Sequence, residues 1–131
     1  MKSAQQKLYE ALGTLYYSLA HADKTVTALE TDALTSAVKQ QWVPQEHSTD
    51  DFGTDAAFYI SICFDFLNDR DASPDKAWSS FVKFYQEHPT LFTTSVKERM
   101  LKTALSVVEA SSGINEAEHD RLKALKTLLK T

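Results

Sequence analysis

His21, Asp23 and Glu30 fall within ten residues of one another, in the stretch AHADKTVTALE. An imidazole two residues from a carboxylate is a pair that a transition metal accepts, and carboxylates gathered at a corner suit a hard divalent cation. Such a cation takes about six oxygen ligands, more than this stretch supplies. A second set lies far along the chain, in VEASSGINEAE, with Glu109 and Glu118. If the two stretches meet, Asp23, Glu30, Glu109 and Glu118, with His21 beside them, form one divalent-metal site. The same residues also have a structural reading. Thr27 followed by Glu30, and Asn115 followed by Glu118, are capping boxes. In each, the first side chain accepts from the amide three residues on, and the carboxylate reaches back to the first residue's own amide. Capping accounts for Glu30 and Glu118 without a ligand; Asp23 then turns the chain, and His21 bonds a free carbonyl at a helix end.

Other reaction chemistry finds little footing. There is no Gly-x-Ser-x-Gly elbow, no His-Glu-x-x-His, and only three isolated glycines where a phosphate cradle needs several. The single cysteine, Cys63, excludes an intramolecular disulfide and any multi-cysteine zinc site. It sits in FYISICFDFL, where apolar burial keeps a thiol inert, and is expected to be a small core residue. His47 and His88 fall in connectors and read as surface residues, while His119 has Thr31, not a histidine, as its counterpart. Trp78, Phe81 and Tyr85 share one helical face, either as core or, where exposed, as a groove for a partner helix or peptide. The expectation is a binding protein, not an enzyme.

The elements that must position these residues are helices. In 131 residues there are only three Gly and three Pro, with 43% hydrophobic and 24% charged residues, which fits one soluble domain of long helices. No apolar run approaches the ~20 residues of a membrane span, and the start MKSAQQKLYE lacks the apolar segment of a signal peptide. A cytoplasmic location is therefore expected. The net charge of −4 is uneven: residues 1–95 hold 7 Lys and Arg against 13 Asp and Glu, and residues 96–131 hold 7 against 5. The basic end, with Arg121, Lys123, Lys126 and Lys130, suits a helix C-terminus and reads as a solvated face. It is too sparse for a nucleic-acid footprint.

Six helices follow from the spacing. Leu8, Leu12, Leu15, Leu19 and Ala22 mark one face of a first helix over about 3–22, with Tyr9, Tyr16 and Tyr17 beside it and their hydroxyls expected to reach water. A second helix runs from Ala28 to about Gln41, ended by Pro44. A third, over about 55–68, is apolar around most of its girth and is expected to be the central, most buried one. Ser73 caps a fourth with Pro74 at its first position, and His88-Pro89 closes it. Ser95 with Glu98 caps a fifth, which stops near Gly113, and a sixth carries Leu122, Leu125, Leu128 and Leu129.

The two ends of the chain echo each other. Ala22 falls on Ala110, Val26 on Ile114, Thr27 on Asn115, Glu30 on Glu118, Asp32 on Asp120 and Leu34 on Leu122. The fold expected is an all-α bundle of about six helices, with helix–corner–helix units at about 8–41 and 96–129 flanking a helical middle at about 48–88. LYYSLAHADKTVTALETDAL resembles the first half of the TerB-like, tellurite-resistance B family: an apolar helix, Ala-x-Ala-Asp-Gly, a short corner, then a Glu opening the next helix. VVEASSGINEAEHDRLKALKTLL resembles its second copy. The chain departs from that pattern at Lys24, where the family has Gly, and at Ser111, where the motif Asp is replaced and Gly113 comes one place late. The resemblance implies a non-catalytic helical module of a stress response, acting through a protein partner and associated with membrane-linked complexes. It also implies divalent-metal binding by motif acids, here reduced by the missing Asp.

Overall fold

Helical periodicity is realised along the chain in a computed structural model that describes residues 4–21, 28–42, 58–110 and 116–130. Among these residues there are six α-helices and no strand: α1 (Ala4–Ala20), α2 (Ala28–Ala37), α3 (Tyr59–Asp69), α4 (Pro74–Glu87), α5 (Thr94–Glu109) and α6 (Glu116–Leu129). The molecule is the all-α bundle that the spacing predicts. The corners that carry Asp23, Thr27 and Asn115 lie outside the described residues.

α1, not α3, is the buried centre. It packs against α3, α4, α5 and α6, and Leu8, Leu12, Leu15, Tyr16, Tyr17 and Leu19 are all enclosed. The polar groups on α1 do not keep it at the surface, because nearby carbonyls satisfy them. Ser18 Oγ donates to Leu15 O at 2.6 Å and Thr14 Oγ1 to Glu10 O at 3.0 Å. The tyrosine hydroxyls do not reach water as expected. Tyr17 donates to Ala72 O at 2.6 Å and Tyr16 to Met100 O at 3.3 Å, which lets both rings bury whole. Burial pushes the Tyr16 phenol far above its ordinary range, against smaller opposing effects from Thr103 and Arg99.

α3 lies closest to α1 at Gly13. A Cβ there would stand 2.5 Å from Ile60 O and 2.8 Å from Cys63 Cβ, so the two helices need the missing side chain. Only one side of α3 is covered: Ile60 and Phe64 are buried, whereas Ile62 and Phe66 are 54% and 52% exposed. An all-round apolar helix is thus covered on the side that packs on α1.

Capping follows the sequence at one helix and departs from it at another. Ser73 accepts from Lys76 N at 3.3 Å, with Pro74 at the first position of α4. α5 starts ahead of the expected Ser95 cap: Thr93 is the cap and accepts from Val96 N at 3.2 Å. α2 ends in a π-helical turn, Val38–Trp42, that delivers Trp42 to the core. There Trp42 Nε1 donates to Thr103 Oγ1 at 2.9 Å, Tyr9 meets the ring edge-on, and the Arg99 guanidinium lies 4.7 Å above it.

Some echoed positions are buried alike: Glu30 and Glu118, and Leu34 and Leu122, are enclosed in their own helices, whereas Ser18 is buried and its counterpart Ser106 exposed.

Candidate functional site

The residues first read as ligands occupy three different settings. His21 follows the last turn of α1, with its ring stacked on Tyr17 at 5.1 Å between centroids. Its Nε2 lies 3.5 Å from Asp71 Oδ1 in the turn between α3 and α4. Asp71 holds a left-handed backbone, φ 50°, a conformation that aspartate tolerates better than most residues. The histidine therefore bridges to an acid that the sequence reading did not consider, instead of capping the carbonyl end of α1. Its Nδ1 is buried with no hydrogen-bond partner among the described residues. Desolvation first, and the negative charge of Asp71 second, raise the Tyr17 phenol above its usual value.

Glu30 and Glu118 are enclosed in the first turns of α2 and α6. A carboxylate at a helix start meets the positive end of the helix dipole; the capping boxes themselves rest on Thr27 and Asn115, outside the described residues. Glu109 is exposed at the end of α5. Asp23 lies outside the described residues. Among the described residues no three His, Cys, Asp or Glu side chains gather so as to hold a metal ion, so His21, Glu30, Glu109 and Glu118 do not form one ligand set. A cation with about six oxygen ligands does not fit that arrangement.

The aromatic stripe of α4 is mostly core. Phe81 and Tyr85 are buried against Phe92, and Trp78 is half-buried under the Arg121 guanidinium, 5.3 Å from its ring. Arg121 also bonds Asp75 at 2.8 Å, tying α6 to the start of α4. Cys63 is half-buried, not a core residue: its Sγ lies 3.5 Å from Thr14 Oγ1 at the seam of α1 and α3.

That seam opens into a groove of about 470 Å³, walled by Glu10 and Thr14 on α1 and by Tyr59, Ile62, Phe66 and Leu67 on α3. The Arg70 guanidinium stacks 4.2 Å from the Phe66 ring. Asp65 and Asp69 are exposed on the same helix face as Ile62 and Phe66. Partial desolvation first, and repulsion from Asp69 second, hold the Asp65 carboxyl above its usual range. A second groove, about 430 Å³, lies between α5 and α6 and is lined by Leu101 and Leu129 with Lys97, Lys126 and Lys130 around them. The sequence reading passed over both. The available signal was the run Ile62, Asp65, Phe66, Asp69, whose i, i+3, i+4, i+7 spacing puts apolar and acidic residues on one face. A helix face that mixes the two in this way is an outer face.

No protein-family model, no curated protein and no solved structure matches the chain. Among the described residues no helix is long and apolar enough to cross a membrane.

Proposed function

We propose that the chain is a non-catalytic interaction module that binds or scaffolds proteins in a cytoplasmic stress response, in the manner implied by its resemblance to the TerB-like family. The observation that carries this reading is the outer face of α3. Ile62 and Phe66 stand more than half exposed beside an apolar groove, on a helix whose opposite face is packed into the core. Scattered exposed apolar residues are ordinary in any protein; two large ones a turn apart on a groove wall are the pattern of a partner surface. Divalent-metal binding is the weaker reading, because His21 turns toward Asp71 and the two buried glutamates sit at helix starts.

The test is a photo-crosslinking residue placed at position 62, with a second at the exposed position 119 as control. In the native cytoplasm the position-62 probe is expected to give discrete protein adducts that Phe66→Asp removes. Adducts of equal yield from both positions, or none from either, would overturn the proposal.

A further inference from the structure

We propose that the α3 face of one copy seats in the α5–α6 groove of a second copy, so that the chain associates head to tail. This deepens the interaction reading above by naming the partner, and it rests on that reading. The first support is shape and polarity. α3 offers two exposed apolar side chains, Ile62 and Phe66, set among Asp65 and Asp69, with the Arg70 guanidinium stacked on Phe66. The α5–α6 groove offers an apolar floor, Leu101 and Leu129, set among Lys97, Lys126 and Lys130, with Glu98 the single acid of its lining. Leu105, one turn beyond Leu101 on α5 and 43% exposed, prolongs the apolar row. An acid-flanked knob and a lysine-rimmed cleft are complementary in both charge and polarity.

The second support is electrostatic and independent of the grooves. Asp69 is the last residue of α3, Asp65 lies one turn before it, and no basic residue falls in that last turn. Carboxylates at the negative end of a helix dipole are opposed by it, and like charges four residues apart repel. The cation that follows them, Arg70, has its guanidinium stacked on Phe66, and one arginine does not balance two carboxylates; lysines opposite them would. Lys126, in the last turn of α6, and Lys130, just after the helix, are like charges four residues apart, and carboxylates facing them would relieve their repulsion as well.

The charges also choose the geometry. Two α3 faces in contact would oppose Asp65 and Asp69 to their own copies, and two α5–α6 grooves would oppose lysine to lysine. With Arg70 counted on the α3 face and Glu98 in the groove, only the unlike pairing sets a net negative face against a net positive one. A patch that meets a different patch is a heterologous contact, which leaves a free knob and a free cleft at the ends of any chain of copies. One helix face in one groove falls at the small end of interface sizes, so the contact is weak, concentration-dependent and sensitive to salt.

Sedimentation velocity on the purified chain tests this directly. The apparent mass is expected to rise with protein concentration from the 14.7 kDa of one copy, pass beyond twice that value, and fall back as salt is raised from ~0.05 to ~0.5 M. Phe66→Asp removes the knob and keeps the cleft; the paired change Lys126→Glu and Lys130→Glu removes the cleft rim and keeps the knob. Each variant alone is expected to stay a monomer, and an equal mixture is expected to form a dimer and nothing larger. All three positions are exposed, and an unchanged circular dichroism spectrum certifies the fold. A wild type that stays monomeric to ~1 mM, a mixture that stays monomeric, or self-association abolished by Phe66→Asp but untouched by the lysine changes would each overturn the head-to-tail contact. If the wild type is monomeric while the position-62 probe still captures another protein, the second-copy inference falls and the interaction module stands.

Discussion

Gly13→Ala separates two opposing magnitudes that the structure makes explicit. In an exposed helix, alanine for glycine is worth about 0.8–1.0 kcal/mol in favour of folding. Gly13 is enclosed, and its added methyl would lie 2.5 Å from Ile60 O, 2.8 Å from Cys63 Cβ and 3.2 Å from Phe64 N. Comfortable carbon contacts are about 3.5–4.0 Å, so α3 must retreat by roughly 1 Å or tilt. Two of the three obstructing atoms are backbone of α3, which no rotamer change can move. Overpacking of this kind costs about 1–3 kcal/mol, and the net expectation is a loss of up to about 2 kcal/mol after the helix-propensity gain. Urea unfolding followed by circular dichroism reads this as a lower midpoint at unchanged slope. A second reading comes from the Cys63 thiol, which lies at the same seam and is expected to react faster with a thiol reagent once α3 is displaced. A variant more stable than wild type by the full propensity gain, with unchanged thiol reactivity, would show that α1 and α3 are not held this close in solution.

Thr103→Val leaves the Trp42 indole N–H buried without its acceptor and takes away the hydroxyl that bonds Tyr16; a loss of about 1–3 kcal/mol in urea unfolding is expected, and an unchanged midpoint would contradict the buried bond. Ser73→Ala removes the cap of α4 and is expected to cost about 0.5–2 kcal/mol by the same measurement. Asp65→Asn carries a pH signature. A carboxyl raised in the folded state destabilises the fold above its folded value, and the penalty disappears below the ordinary carboxylate range near pH 4. The asparagine variant is therefore expected to melt higher than wild type at neutral pH, by the few tenths of a kcal/mol typical of a like-charge pair, and to lose that advantage as acid is added. An advantage that grows in acid would reverse the assignment.

Helix number and kind were legible because apolar residues repeat every three to four positions and few glycines or prolines interrupt them. Which helix becomes the centre was not. α3 looks more apolar than α1, yet α1 is enclosed because Ser18, Thr14, Tyr16 and Tyr17 find carbonyl acceptors, some on their own helix and some on distant backbone. Acceptors at Ala72 and Met100 are tertiary facts that no window along the sequence contains. His21 was legible as an unusual residue, but its partner Asp71 is far along the chain and was not. The α5 start was misplaced because Thr93, Thr94 and Ser95 all qualify as caps by residue type, and it is Thr93 that takes the extended backbone and accepts from Val96 N.

The charge imbalance of the two ends acquires a physical role once the helices are placed. Along the sequence, lysines on the last helix need no explanation beyond the dipole they face. Lys126 of α6 and Lys130 just after it border an apolar groove whose other wall carries Lys97 and Glu98, so three cations and one acid surround one floor. The acids of α3 sit at the end of the helix where the dipole opposes them. Arg70 directly follows Asp69 and stacks on Phe66, so part of this charge is met within one copy. What remains is two exposed acids beside an exposed phenylalanine, a surface that gains when an oppositely charged apolar groove meets it. The cost falls on the monomer and the return on the complex, which is why Asp65→Asn is expected to stabilise the fold and weaken association in the same experiment.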